Sequence, residues 1–250
     1  MKHGIYERLQ ETAHRIARTQ PHPAFYLRHA DIIRRVDDLL GTAELIRRCR
    51  TYLDESQLEC AHGLCHCETV ARDAGALVLI EAPAAGIGSG FAERLAITAA
   101  LAGLLHDIKR KEQDHALRGS VEAGKILAGI GMNDRERGHI TAAIKNHEAF
   151  KESFTSEDRE ARLVSDALYD ADKFRWGPEN FTVTLWLILE DRNTPPEALH
   201  RTFREKMNGI ARIKDTFRTE TGRRYGPEII DQGLVIGNAI YEEMSAMLRR

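Results

Sequence analysis

The sequence lacks any hydrophobic run of the roughly 18 residues that a helix needs to cross a bilayer, which argues against a membrane-spanning segment. Its first residues also lack the apolar stretch that is typical of a secretory signal peptide. We therefore expect a cytoplasmic protein that has no membrane partner.

An excess of either charge is also absent. The chain has 36 Lys and Arg residues against 38 Asp and Glu residues, and its isoelectric point is near 6.6. Such a balanced composition provides no long-range positive field to attract a polyanion. We therefore expect no nucleic-acid polymer among its partners.

Cysteine is scarce and unevenly placed. Three of the four cysteines lie close together, at Cys60, Cys65 and Cys67. In a chain of this size, this pattern does not resemble the cysteine framework of a disulfide-stabilised domain. With His62 they offer a compact zinc site as an alternative. Structural zinc sites usually join two ligand pairs across a longer loop than the one available here. We therefore interpret these cysteines as buried thiols.

No segment alternates apolar and polar residues as a half-buried strand would. Residues 92–105 are rich in Ala and Leu and carry little charge, which predicts a buried helix. Asn133, three residues before Glu136, predicts a helix start, and Gly131 stands where a helix would end. The sequence therefore predicts an all-α fold.

The predicted organisation is a central domain with a helical extension at each end. We assign residues 51–190 to the central domain, 1–50 to an N-terminal extension and 191–250 to a C-terminal extension packed on the same domain. The second boundary follows the polar and proline-containing segment 191–196. The small-residue segment 83–90 is interpreted as a loop inside the central domain.

The pair His106-Asp107 follows an apolar run and is the most informative feature of the chain. Burying an imidazole and a carboxylate without partners would cost several kcal/mol, roughly 2–7 for a neutral polar group and more for a charge. Both side chains are therefore best understood as ligands that converge on a metal ion.

Other potential ligands surround this pair in a regular order. That order is His62 and His66, His106-Asp107, His115, His147 and Asp170. The order resembles that of the HD-domain superfamily of metal-dependent phosphohydrolases. The matching segments are residues 66–70, 104–109, 115–127, 143–148 and 168–173, within about residues 60–175.

The resemblance implies a helical bundle that binds two metal ions. It assigns the first metal to four ligands, and it makes Asp107 both a catalytic residue and a bridge to a second metal. The first set is His66, His106, Asp107 and Asp170, and the second metal adds His115 and His147. Mixed imidazole and carboxylate ligation favours divalent Mn, Fe, Co, Ni or Zn over Mg.

Three further residues are candidates for catalysis. Lys109 and Lys173 lie close to the predicted ligands in sequence and would neutralise phosphate oxygens. His62 precedes His66 by four residues, so on a helix it would be an extra ligand or a base that protonates the leaving group.

The resemblance thus implies a metal-dependent phosphohydrolase that acts on a nucleotide or another small phosphorylated substrate. Two alternatives remain open. Related di-iron oxygenases share the same ligand order, and a non-catalytic, metal-stabilised module that senses or binds nucleotides would need no turnover. The sequence also leaves homo-oligomer formation open.

Overall fold

The computed structural model describes residues 2–53, 63–151 and 156–249, and these ranges are helical, with no β-strand among them. The predicted all-α class is therefore confirmed. The α-helices of the described ranges are α1 (Lys2–Ala17), α2 (Ala24–Arg28), α3 (Ala30–Thr42), α4 (Glu44–Arg50), α5 (Leu64–Glu81), α6 (Ser89–Leu105), α7 (His115–Gly129), α8 (Asp134–Lys145), α9 (Arg159–Phe174), α10 (Leu185–Asp191), α11 (Pro196–Arg212) and α12 (Glu220–Leu248). Across the described ranges, no helix is both long and apolar enough to span a membrane.

Helix α6 lies at the centre of the bundle and packs against α5, α8 and α9. It contains the predicted buried helix 92–105, which the structure confirms, and most of its side chains are inaccessible to solvent. Gly103 permits the close contact with α5, because a Cβ atom at this position would lie 2.5 Å from Ala71 Cα. The apolar, small-residue composition of α6 therefore sets how closely the two central helices approach.

The predicted helix ends around residue 132 are also confirmed. Gly131 has φ 77° after α7, a left-handed conformation that glycine adopts without strain, and its N–H donates to Ala128 O at 3.0 Å. Asn133 Oδ1 accepts the Glu136 N–H at 3.0 Å and caps α8. These caps fix the turn between α7 and α8, two helices that pack on one another.

The terminal helices contribute to the same apolar core as the central ones. Helices α1 and α11 pack on α12, which in turn contacts α5 and α9. A single cluster of buried apolar side chains extends from Leu9 to Met244. The described parts of the segments 1–50 and 191–250 are thus packed against the helices of the segment 51–190.

Replacement of Gly103 by alanine is expected to destabilise the fold. The new methyl group would meet the Ala71 backbone, and overpacking of this kind typically costs about 1–3 kcal/mol in the free energy of unfolding. Urea unfolding followed by circular dichroism measures the change.

The matched control is Gly138→Ala on the exposed face of α8, where a Cβ atom would meet nothing within 4 Å. This variant should gain about 0.4–1 kcal/mol of stability because alanine loses less backbone entropy in a helix. Equal stability of the two variants would contradict the close helix contact at Gly103.

Candidate metal centre

The ends of two helices orient the histidine rings at the centre of the bundle. His106 follows α6 and donates its Nδ1 hydrogen to Gly103 O at 2.7 Å. His147 follows α8 and donates its Nδ1 hydrogen to Ile144 O at 2.6 Å. A neutral imidazole with a protonated Nδ1 keeps its lone pair on Nε2, which is the form that binds metals.

The inner cluster, which we define as His66, His106, Asp107 and Asp172, combines two parts. Ligand atoms of His66, His106 and Asp172 lie within 4.8 Å of one another, and Asp107 joins them through His106. His66 Nε2 lies 3.3 Å from His106 Nε2 and 3.6 Å from Asp172 Oδ1. His106 Nε2 lies 3.4 Å from Asp107 Oδ2. Ligands bound at about 2.1 Å in a tetrahedron are about 3.4 Å apart, so the spacings among His66, His106 and Asp172 suit three ligands of one ion.

Three ligand atoms form the outer cluster, which consists of Asp107, His115 and His147. Asp107 Oδ1 lies 3.6 Å from His115 Nε2 and 3.5 Å from His147 Nε2. The two ring nitrogens are 3.4 Å apart. The structure therefore brings five of the six predicted metal ligands together, and Asp107 presents one oxygen to each cluster.

Asp107 Oδ1 is a buried carboxylate oxygen with no hydrogen-bond partner. The whole residue is only 2% exposed, so water does not solvate the charge freely. A buried charge of this kind needs a cation or a hydrogen-bond donor to offset its desolvation. The donor set of this centre thus fits a bound metal ion.

The structure places the predicted distal ligand, Asp170, away from the histidines. Both oxygens of Asp170 face the segment before α12, where they accept hydrogen bonds from Arg218 N (2.8 Å), Thr219 N (2.8 Å) and Thr219 Oγ1 (2.7 Å). Asp172, two residues further along α9, faces the histidines instead. Residues two apart on a helix lie about 200° apart around its axis, so only one of these two carboxylates can face the centre.

The predicted lysines differ in their positions. Lys173 Nζ is 2.5 Å from Asp172 Oδ2, and the residue is 3% exposed, so its charge reaches the inner cluster. Lys109 Nζ lies 3.2 Å from Glu112 Oε1, where it forms an ion pair instead. The prediction for His62 falls on a residue outside the described ranges.

Arg110 is a residue of the centre that the sequence analysis missed. Its Nη1 donates to His115 Nε2 at 2.8 Å and lies 3.7 Å from Asp107 Oδ1. The only sequence signal was its position three residues after Asp107, where a turn returns a long side chain to the same place.

Neighbouring charges favour the ionised form of both cluster carboxylates. Burial opposes ionisation of Asp107, yet His106 and Arg110 hold its pKa well below the usual range. Burial likewise opposes ionisation of Asp172, while Lys173 and the two histidines of the inner cluster lower its pKa. Burial and the adjacent Arg110 lower the pKa of His115. The neighbouring carboxylates Asp107 and Asp172 raise the pKa of His106 although burial opposes this. Two ionised carboxylates are thus available to a cation.

A second acidic and imidazole group occurs at the start of α9. It consists of His139, Asp158 and Glu160. Arg135 already pairs with both carboxylates, and Asp158 Oδ1 caps α9 by accepting the Glu160 N–H at 2.9 Å. These contacts explain the group as a helix cap.

Comparisons of this chain with family models, with curated proteins and with solved structures find no match. The functional interpretation therefore depends on the geometry of the described side chains.

The variants Asp172→Ala and Asp170→Ala should have opposite effects. Loss of Asp172 removes an inner-cluster ligand, so we expect metal affinity to fall by at least about 100-fold. Loss of Asp170 leaves backbone donors unpaired, so the free energy of unfolding should fall by about 2–4 kcal/mol while metal content is retained. Elemental analysis and urea unfolding in the presence of chelator measure the two effects.

Each variant is the control for the other, since the two residues are on the same helix and differ only in the face they occupy. A folded Asp170→Ala protein that lost its metal, beside an Asp172→Ala protein that kept it, would restore Asp170 as the ligand.

Proposed function

We propose that this protein is a metal-dependent phosphohydrolase of the HD type, which acts on a nucleotide or another small phosphoester. The observation that carries the proposal is the inner cluster, in which ligand atoms of His66, His106 and Asp172 lie within 4.8 Å of one another and Asp107 contacts His106. Sequence order adds support, because the adjacent His106-Asp107 pair supplies two of these ligands.

A divalent ion in the inner cluster would polarise the phosphoryl oxygen and lower the pKa of a water molecule. The chemistry of the donor set, imidazole nitrogen mixed with carboxylate oxygen, favours Mn, Fe, Co, Ni or Zn.

The protein side chains provide orientation and charge. The carbonyl groups of Gly103 and Ile144 hold the rings of His106 and His147 in the ligand tautomer. Lys173 pairs with Asp172 and keeps that carboxylate ionised, while it adds positive charge close to where phosphate oxygens would bind. These groups are buried, so their orientation costs little reorganisation during the reaction.

The lining of a cavity of about 500 Å³ is suited to an anionic ligand. Asn146, the residue before His147, lines it, whereas none of the residues of the inner and outer clusters does. Among the described residues that line it, four are cationic and one is a carboxylate, Asp166. The cationic residues are Lys145, Arg162, Arg218 and Arg223. Excess positive charge in a concave site favours a ligand with several negative charges, such as a nucleotide.

The test of this proposal is phosphate release by protein purified without chelator. The substrates would be a panel of nucleotides, cyclic dinucleotides and a chromogenic phosphoester, assayed with and without oxygen. We expect oxygen-independent hydrolysis that chelator abolishes and Mn²⁺ or another divalent transition metal restores.

The variant Asp107→Asn should reduce kcat by at least about 1,000-fold, a loss comparable to removal of a major charge-stabilising group. The matched control is Asp31→Asn, since the Asp31 side chain is 92% exposed on α3.

Oxygen consumption with two bound irons and no hydrolysis would instead assign the chain to oxygenase chemistry. Metal-dependent stabilisation by nucleotides without turnover would assign it to a binding module.

The cationic cavity gives a separate prediction. Replacing Arg162 or Arg223 by alanine should raise KM by about 10-fold, which corresponds to about 1.4 kcal/mol of lost binding, with little change in kcat. Steady-state kinetics on the best substrate of the panel measures the effect. Arg47→Ala on α4 is the control, because Arg47 pairs only locally with Glu44. An unchanged KM in both cavity variants would remove the cavity from the substrate site.

A further inference from the structure

A side-chain cation already lies at the outer cluster. Arg110 Nη1 is 2.8 Å from His115 Nε2, at hydrogen-bond distance, and 3.7 Å from Asp107 Oδ1. Both of these atoms would be ligands of a second metal ion. The lone pair on His115 Nε2 cannot accept the Arg110 hydrogen and bind a metal at the same time.

The local backbone fixes Arg110 in this position. Its N–H donates to Asp107 O at 2.9 Å and closes a turn directly after α6. The turn places the guanidinium over the carboxylate three residues earlier, and the side chain is only 30% exposed. Arg110 therefore needs no large rearrangement to reach the outer cluster.

The guanidinium group of an arginine keeps its positive charge at physiological pH. Asp107 Oδ1 has no hydrogen-bond partner, so the nearby guanidinium provides part of its charge compensation. A second divalent ion in the outer cluster would have to displace this cation or bind beside it against electrostatic repulsion.

We infer that Arg110 takes the place of the second metal ion, so that the centre binds one divalent ion, in the inner cluster. This refines the proposed function, since it assigns to an arginine the positive charge that a second ion would present to the phosphoryl oxygens. Arginine suits this role because its planar group of N–H donors matches phosphate oxygens. The expectation of two ions per chain is replaced by one ion and one guanidinium.

Titration of metal-free protein with Mn²⁺ tests the inference. Equilibrium dialysis should give one tightly bound Mn²⁺ per wild-type chain and two per Arg110→Ala chain at the same free concentration. The Arg110→Ala protein should also show the exchange-coupled electron paramagnetic resonance signal of two neighbouring Mn²⁺ ions, which the wild type should lack.

Two further variants make the result specific. The double variant Arg110→Ala/His115→Ala should return to one Mn²⁺, because it lacks an outer-cluster ligand. Arg118→Ala should remain at one, since Arg118 is 60% exposed and pairs with Glu112. Circular dichroism confirms that each variant is folded before its metal is counted.

Two tightly bound ions in the wild type would overturn the inference, and so would a single ion in a folded Arg110→Ala protein. The metal count does not depend on turnover. One bound ion in the wild type and two in Arg110→Ala, without phosphate release from any substrate, would therefore support the role of Arg110 and reject the phosphohydrolase proposal. Hydrolysis by a wild-type protein with two tightly bound ions would support the phosphohydrolase proposal and reject the role of Arg110.

Discussion

The buried carboxylate of Asp107 is the constraint on which the centre depends. Its two oxygens face different clusters, and one of them has no hydrogen-bond partner. A desolvated negative charge needs positive charge within a few ångströms, and both a metal ion and a guanidinium are suited to supply it. The positions of the surrounding histidines and of Arg110 can be understood from this single requirement.

The ends of α6 and α8 orient two histidine rings next to this carboxylate. The same residue, Gly103, allows α6 to pack closely on α5 and offers the carbonyl that orients His106. The end of α8 orients His147 in the same way through Ile144. Packing and ligand orientation are therefore coupled, since a shift of either helix would also turn the ring that follows it.

Arg110 and Lys173 each place a positive charge beside one of the two clusters. Lys173 pairs with the inner-cluster carboxylate Asp172, while Arg110 contacts the outer cluster. Together with one divalent ion they would surround a phosphoryl group with positive charge from three directions. The cationic cavity beside Asn146 is a separate feature, since no residue of either cluster lines it.

The amino-acid sequence by itself determined the helical class, the buried helix before His106 and the helix ends at Gly131 and Asn133, because these depend on local composition and spacing. It also placed the cluster histidines in order along the chain. Only the tertiary structure decided which of Asp170 and Asp172 faces the histidines. The two carboxylates belong to one short motif, and they become distinguishable when α9 presents Asp172 to the histidines and Asp170 to the residues before α12. The tertiary structure likewise decided the positions of the Lys109 and Arg110 side chains, since nearness in sequence does not specify the direction of a long side chain.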